Sequence, residues 1–521
     1  MHPPRVHFFL RKGADMKSFT PVILAAGLFA AGAANAAPTW ITLGDAAYAK
    51  LQAAAPQATA KQSRQGLGKE KVHLVQVDEE TMLKLSAAIH KELKRCGGFM
   101  VHASEQEGQQ ALAKAGTVQP LALAVSRPSY TLDNQTTVNA VLPTLQASNI
   151  AQTITDMSNF ANRYYRTTNG ANASNWLAQK WTSMAAGRSD ISVAQFTHSG
   201  YNQKSVIMTI TGTDNPSEVV VMGGHLDSIN LSGNGETSRS PGADDDASGI
   251  ASLTEAVRAM IAAGYKPRRT IKIMGYAAEE AGLLGSKDIA ANFKANNINV
   301  VGVMQLDMTN YRGSAKDVWI YTDYTDSQQN TFLASLLSAY MPTVTVGYSS
   351  CGYACSDHAS WQNQGFPASI PFETLNGEDN PYIHTANDTL ANSDSQANHA
   401  LKFAKLAAAY AVELGSDGPG VVIPDKVETF SGTLTLNQKK SFGPFKAGVG
   451  TFKAETTGTG DVDLYVRKGS LPTTSSYTCK SDGSSATETC SVSVTANGDV
   501  YVLLNGYSAS SYNLKVTYRP Q

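Results

Sequence analysis

The chain has 521 residues, with 42% hydrophobic and 16% charged residues, 43 Gly and 20 Pro. That composition is globular and excludes both disorder and collagen-like repeats. Lys plus Arg is 42 against 43 Asp plus Glu, a net charge of -1, so no global basic field exists to hold nucleic acid or an anionic membrane.

The first 36 residues read as an export signal. A positive start at Met16-Lys17 precedes the apolar run PVILAAGLFAAGA (Pro21 to Ala33), and Ala34-Asn35-Ala36 has the small-x-small form of a cleavage site. Met1 and Met16 are both possible starts. The run is too short for a comfortable membrane span, so the mature protein is expected to be secreted through the periplasm and free of the membrane. In an exported chain the five cysteines, Cys96, Cys351, Cys355, Cys479 and Cys490, read as disulfide material. Cys351 and Cys355 can bridge within one loop, Cys479 and Cys490 can staple a hairpin-like connection, and Cys96 is left over.

Residues 37–128 form a first block. A polar Ala/Gln-rich stretch leads into a strand at Val72 to Val77, then a helix from Glu80 to Arg95 ended by Gly97-Gly98. It carries no catalytic cluster and reads as a small α+β propeptide. Residues 129–415 form a second block. Ile150, Ile154, Met157, Phe160 and Tyr164 recur at helical spacing and make one apolar face. A β-type run at Val206 to Ile210 follows. Strands at Val219 to Met222, Thr270 to Tyr276 and Val300 to Leu306 then alternate with helices at Ala247 to Ala263 and Gly282 to Asn296. Strands separated by helices of that length imply an α/β fold, a mostly parallel mixed sheet covered by helices. A Gly/Pro-rich linker spans 416–427. Residues 428–521 alternate in short runs, DVDLYV, VYVLLN and YNLKVTY, the pattern of an all-β sandwich. Asp461 and Asp463 read as the solvated start of one of its strands.

The chemistry gathers where the α/β strands end, which is where ligands bind in such sheets. GGHLDS puts His225 and Asp227 directly after one strand; the ring is a candidate metal ligand, and Asp227 a carboxylate for its other N–H. PGADDDASG sets Asp244, Asp245 and Asp246 before a helix. One helix cap needs only one carboxylate, and a dication would relieve the repulsion of the other two. YAAEEAG places Glu279 and Glu280 after the next strand, one to bind metal and one to take a proton from water. Asp307 ends the apolar run VVGVMQL, a costly place for a carboxylate unless it is paired or ligated. His384 lies in NPYIHTANDT beside Asn387 and Asp388. Two imidazoles and three or more carboxylates suit zinc, with cobalt and manganese also acceptable.

The segments GGHLDS, PGADDDASG, YAAEEAGLLGS, MQLDMTNYRGSAKDV, CGYACSDHASW and NPYIHTANDTLANSD, in that order and after GYNQKSVIMTITG, resemble the bacterial secreted two-zinc leucyl aminopeptidases, a family of co-catalytic zinc exopeptidases. The resemblance covers roughly residues 129 to 415. It implies two zinc ions per catalytic domain, with His225 and Glu280 on one, Asp307 and His384 on the other, and Asp245 bridging. It further implies Glu279 as general base, Asp227 behind His225, and a cis peptide between Asp245 and Asp246. Met308, Tyr353, Phe372 and Ile383 would wall the substrate pocket beside the Cys351–Cys355 loop, for peptides with Leu or another bulky apolar N-terminal residue. GDVDLYVRKGS, the Cys479–Cys490 spacing and VLLNGYS resemble the pre-peptidase C-terminal domain of secreted bacterial peptidases. A monomeric metalloaminopeptidase acting on peptide or protein N-termini is the expectation. The alternatives are a carboxypeptidase or amide deacylase on the same two-metal scaffold, and a non-catalytic secreted binding protein. A carboxypeptidase would need a cation such as Arg312 or Lys316 in the pocket. No GxSxG motif stands at a strand–helix junction to favour a serine hydrolase.

Overall fold

A computed structural model describes residues 38–66, 71–93, 98–115, 128, 130–416, 425–448, 450–494 and 498–520. The expected signal segment, Cys96, the expected end of the first long helix and most of the expected linker lie outside the described residues.

The first block runs β1 (Thr39–Gly44), α1 (Asp45–Ala54), β2 (Ala60–Gln65), β3 (Lys71–Val77), α2 (Glu79–Ala88), a π-helical turn (Ile89–Leu93), β4 (Phe99–His102) and α3 (Glu105–Lys114). Its strands form one antiparallel sheet in the order β2-β3-β1-β4. Ile41, Leu43, Leu51, Val75, Leu85 and Ile89 close its core. Asp78 and Ser104 cap α2 and α3 by accepting from Thr81 N and Glu107 N. The stretch read as merely polar hides β1 and β2. TWITLG is too short a run to stand out, and β2 is held almost wholly by its ladder with β3, with five of its six residues exposed.

The second block opens with α4 (Gln135–Val141), α5 (Ala147–Ser158) and α6 (Thr168–Met184). Helix α5 buries Ile150, Ile154 and Met157, each worth about 1.5–3 kcal/mol on burial. The apolar face expected to continue to Tyr164 stops at Ser158; Tyr164 is buried, but from the loop that follows. Next come β5 (Ile191–Phe196), β6 (Ser205–Ile210), β7 (Asn215–His225), α7 (Ala247–Ala262), β8 (Arg269–Tyr276), α8 (Leu284–Ala295) and β9 (Asn299–Gln305). The block continues with β10 (Val318–Tyr321), α9 (Ser327–Tyr340), β11 (Val346–Ser349), α10 (His358–Asn363), β12 (Ala368–Ser369), β13 (Pro371–Phe372) and α11 (Asn398–Ser416).

The main sheet has the order β12-β9-β7-β8-β6-β5. Strands β12, β9, β7 and β8 are parallel, while β6 and β5 add antiparallel. The mixed, mostly parallel sheet is therefore as expected. Central β7 is buried from Val219 to His225, because helices cover both faces. A smaller sheet, β11-β10-β13, stands beside it.

The last block is β14 (Lys426–Leu434), β15 (Lys439–Ala447), β16 (Gly450–Thr459), β17 (Val462–Lys468), β18 (Cys479–Ser481), β19 (Glu488–Val494), β20 (Gly498–Gly506) and β21 (Ser510–Tyr518). Two four-stranded sheets, β14-β21-β16-β19 and β15-β20-β17-β18, enclose Phe452, Val462, Leu464, Val492, Val502 and Leu514. The Cys479–Cys490 disulfide joins β18 of one sheet to β19 of the other, so it is an inter-sheet tie and not a hairpin staple. Nor is Asp463 solvated: it is buried and accepts from Asn505 Nδ2 at 2.9 Å.

Candidate metal centre

The six acidic and imidazole side chains singled out from the sequence converge at the carboxyl ends of β7, β8 and β9. His225 is the last residue of β7 and is fully buried. The strand can end so close to its neighbours because Gly224 lacks a side chain; a Cβ there would lie 2.9 Å from both Asp246 Oδ2 and Leu306 O.

The three consecutive aspartates divide their work. Asp246 caps α7 by accepting from Gly249 N at 2.8 Å, and also accepts from His225 N at 2.9 Å and Met308 N at 3.1 Å. Asp244 accepts from Asn310 N at 3.2 Å and Asn380 Nδ2 at 2.7 Å. Only Asp245, between them, faces imidazoles: Oδ1 is 2.9 Å from His225 Nε2 and Oδ2 is 2.9 Å from His384 Nε2. The Asp245–Asp246 peptide is cis, as expected.

Two donor groups share this carboxylate. His225 Nε2 lies 3.5 Å from Asp307 Oδ1, and His384 Nε2 lies 3.1 Å from Glu280 Oε2. This corrects the pairing expected from the motifs: His225 belongs with Asp307 and His384 with Glu280. The register explains it. β9 pairs with β7 and runs on to Asp307 beside His225, whereas Glu280 sits in the turn after β8, next to the loop that carries His384. Donor atoms of His225, Asp246 and Asp307 also lie within 4.8 Å of one another, as do those of Asp245, Glu280 and His384. Because both oxygens of Asp246 already hold backbone N–H groups, Asp245 is the better donor to the first group.

Asp227 ties the two sides together. Its Oδ1 is 3.4 Å from His225 Nδ1 and accepts from Glu279 N at 2.9 Å, and its Oδ2 accepts from Glu280 N at 3.2 Å. One carboxylate thus fixes the His225 ring and the backbone of both glutamates. Ala278, Met308 and His384 all have positive φ, at 55°, 59° and 56°. Left-handed non-glycine residues gather at functional sites where the surroundings over-determine the backbone.

The donor set fits divalent cations. Glu279 Oε2, Glu280 Oε1 and Asp307 Oδ1 are buried without a hydrogen-bond donor. Burial pushes Glu279 well above the usual carboxylate range, with Glu280 and Asp307 adding to the rise against His225. Burial likewise pushes Glu280 up to about 7, opposed by His384. For Asp245 burial also raises the pKa, but the two imidazoles outweigh it and hold the group low. Such a concentration of buried negative charge calls for bound cations, and mixed imidazole and carboxylate donors suit zinc.

Several supports were given no role from sequence. Buried Arg163 donates to Leu226 O at 2.8 Å, Gly242 O at 2.9 Å and Pro241 O, clamping the loops on either side of Asp227 and Asp244. Asp388 accepts from Asp244 N at 2.9 Å and Asp245 N at 3.2 Å. Gln203 accepts from Ala278 N at 3.2 Å, and Asp357 accepts from Gln305 Nε2 at 3.1 Å. Asp388, Gln203 and Asp357 stand inside quoted motifs, so a signal existed; Arg163 carries none.

Beside the metal centre, Met308, Tyr353, Phe372 and Ile383 form one buried apolar cluster with Tyr321, Ile370 and the bonded Cys351–Cys355 pair. Tyr321 packs on Phe372 with ring centres 4.9 Å apart, and its hydroxyl donates to Thr374 O. Its polar end is therefore spent on the backbone.

Residues 205–409 match the family described as peptidase family M28, and residues 446–506 match the bacterial pre-peptidase C-terminal domain. Leucine aminopeptidase 1 of the fungus Arthroderma otae is 36% identical over 337 residues, covering 62% of this chain and 87% of that protein. The crystal structure of the LapA aminopeptidase of Legionella pneumophila is similar at a TM-score of 0.62 and 33% identity, covering 73% of this chain and 99% of that one. LapB of the same organism gives a TM-score of 0.60 at 30% identity, with 73% and 100% covered. The donor set at the strand ends and these similarities converge: the chain belongs to peptidase family M28 and is a zinc-dependent aminopeptidase.

Proposed function

We propose that the protein is a secreted two-zinc aminopeptidase preferring Leu or another bulky apolar N-terminal residue. The observation that carries this reading is Asp245 standing 2.9 Å from both His225 Nε2 and His384 Nε2, with Asp307 and Glu280 each beside one imidazole. His225 and Asp307 would hold one zinc, His384 and Glu280 the other, and Asp245 both. Bound zinc supplies Lewis acidity for the scissile carbonyl and lowers the pKa of water. Glu279 accepts the water's proton and returns it to the leaving amine. Asp227 holds Glu279 in register with the ligand Glu280 through their two backbone N–H groups. Met308, Tyr353, Phe372 and Ile383 would receive the apolar side chain, in keeping with the leucine aminopeptidases among the relatives.

The domain reading follows the same lines: a signal peptide to residue 36, a propeptide at 37–128, the catalytic domain at 129–415, a linker at 416–427 and a β-sandwich at 428–521. Among the described residues no helix is long and apolar enough to cross a membrane. The test compares Leu-p-nitroanilide with its N-acetylated form, on protein freed of residues 1–128, with and without chelator. Cleavage of only the free-amine substrate, lost with chelator and restored by zinc at two ions per chain, is expected. Equal cleavage of the acetylated form would overturn the aminopeptidase assignment.

A further inference from the structure

The turn that carries Glu279 and Glu280 is held by side chains, one backbone N–H at a time. The β6–β8 ladder ends at the pair Val206 and Gly275. There Ser205 takes over, its Oγ accepting from Ala277 N at 2.9 Å. Gln203 Oε1 accepts from Ala278 N at 3.2 Å, and the two oxygens of Asp227 accept from Glu279 N and Glu280 N. Four consecutive amides thus meet four side-chain oxygens. They span Ala278, whose φ of 55° is one that a residue with a side chain adopts only where its surroundings impose it. Gln203 is itself fixed, donating to Arg163 O at 2.9 Å. On the outer side of the turn, Gly282 O accepts from Val101 N of the first block at 3.2 Å, and Lys287 pairs with Glu107 at 2.9 Å.

Ser205 has a partner behind it. His198 Nε2 lies 2.8 Å from Ser205 Oγ, and His198 Nδ1 lies 2.8 Å from Oδ2 of Asp288 on α8. A carboxylate only accepts, so the neutral ring carries its proton on Nδ1, and Nε2 accepts the Ser205 hydroxyl hydrogen. With that hydrogen claimed, the lone pairs of Ser205 are left for Ala277 N. Phe196 and Tyr201 flank the ring, with centres 5.0 and 5.2 Å away. His198 and Ser205 are buried, whereas the Asp288 side chain is about half exposed. Asp, His and Ser in this order form the relay of serine hydrolases. Here, however, Ser205 is fully buried and its oxygen already holds an amide, so a substrate carbonyl has no path to it.

We infer that His198 is a positioning residue for hydrolysis: backed by Asp288, it orients the Ser205 hydroxyl, and through Ser205 it fixes the Ala277 amide and the turn that aims Glu279. This rests on the reading of Glu279 as general base and adds to it the device that sets its geometry. Helix α8, which follows the turn, holds Ala277 from both sides. Gly285 N donates to Ala277 O directly at 3.0 Å, and Asp288 reaches Ala277 N through His198 and Ser205. A general base must stand within hydrogen-bond reach of the water it deprotonates, and a displacement of about 1 Å costs on the order of 100-fold in rate. His198 acts only through Ser205; it takes no part in the proton transfer.

The test is a double-mutant cycle in the zinc-loaded protein used for the preceding experiment. His198→Phe keeps a ring between Phe196 and Tyr201 but cannot accept the Ser205 hydrogen. His198→Gln puts an amide oxygen where Nε2 stood, and Ser205→Ala removes the link. His198→Phe and Ser205→Ala should each lower kcat for Leu-p-nitroanilide by about 10- to 100-fold, with KM and zinc content unchanged. The double variant should be no slower than Ser205→Ala alone, and His198→Gln should recover most of the loss. Hydrogen exchange at Ala277 N, which needs no turnover, should be faster than wild type in His198→Phe and close to it in His198→Gln. A kcat for His198→Phe within twofold of wild type would overturn the assignment, as would losses that multiply in the double variant, the mark of two independent packing effects. If the wild-type protein cleaves no free-amine substrate, or Glu279→Gln keeps full kcat, the reading of the site fails instead. Exchange at Ala277 N then still decides whether His198 holds the turn, and unchanged protection in His198→Phe would overturn that too.

Discussion

Replacing Asp227 by Asn is the most informative single change, because it keeps the shape and removes one charge. In the native site the carboxylate accepts from Glu279 N at 2.9 Å and Glu280 N at 3.2 Å, and faces His225 Nδ1 at 3.4 Å. Asn retains one accepting oxygen, so one backbone N–H then meets an amide NH₂ in a buried site. A charge-assisted bond to a buried group is worth about 1.5–3 kcal/mol, and one is lost outright. Converted at 1.4 kcal/mol per decade, the expected fall in kcat/KM is roughly 10- to 150-fold. The His225 ring also loses its anionic partner, so zinc affinity should fall by about 10–100-fold. The assay is steady-state hydrolysis of Leu-p-nitroanilide under saturating zinc, paired with zinc retention against a chelator series. If kcat/KM stays within twofold and zinc retention is unchanged, Asp227 does not position the site, and the argument built on its three contacts is wrong.

Glu279→Gln should lower kcat by about 10²–10⁴-fold, the usual range for a lost general base, while zinc content measured by emission spectroscopy stays the same. Phe372→Ala should lower kcat/KM for Leu substrates more than for Ala substrates, by about 1–3 kcal/mol, because only the bulky side chain loses an apolar wall; equal losses would remove it from the pocket. Leu336→Ala should lower the unfolding free energy of the protein by about 2–5 kcal/mol without changing kcat, since Leu336 is fully buried away from the strand ends. For Glu107 burial raises the pKa, but His102, Lys287 and Ala103 N outweigh it, and the folded value lies below the ordinary one. Its contribution to seating the first block is therefore present above the free-carboxylate pKa of about 4.3 and lost as pH falls through the depressed folded value. Hydrogen exchange at Val101 N should accordingly accelerate, relative to its intrinsic rate, only below about pH 4; no change down to pH 3 would refute it.

Most of the fold was legible because its signals are local. Thr270 to Tyr276 and Val300 to Leu306 are apolar runs bounded by helices, and the strands formed within a residue of those limits. The cluster of candidate donors was legible because a carboxylate after VVGVMQL, or three aspartates before a helix, has no inexpensive structural explanation. The pairing of these donors was not, since it depends on which strands are neighbours, and a motif has no neighbour until the sheet forms. The π-helical turn was read as the continuation of an α-helix because the residues of Ile89–Leu93 suit either state. Arg163 was missed for a different reason. A buried guanidinium that bonds only carbonyls leaves no spacing pattern, and its value arises from loops more than 60 residues further along the chain.

The end of α11 has a consequence beyond the catalytic domain. Two of its last carbonyls are bonded inside that domain: Arg269 Nη1 donates to Leu414 O at 2.7 Å and Arg268 N to Gly415 O at 2.9 Å, while the Tyr265 hydroxyl meets the Ser416 side chain at 2.8 Å. Helix ends normally leave such carbonyls wanting, and whatever follows in the chain must often satisfy them. Here Leu414 O and Gly415 O are met by Arg269 and Arg268 of the catalytic domain itself. Those two carbonyls would keep their partners if the β-sandwich were absent, so at this point the helix end asks nothing of the module appended to it.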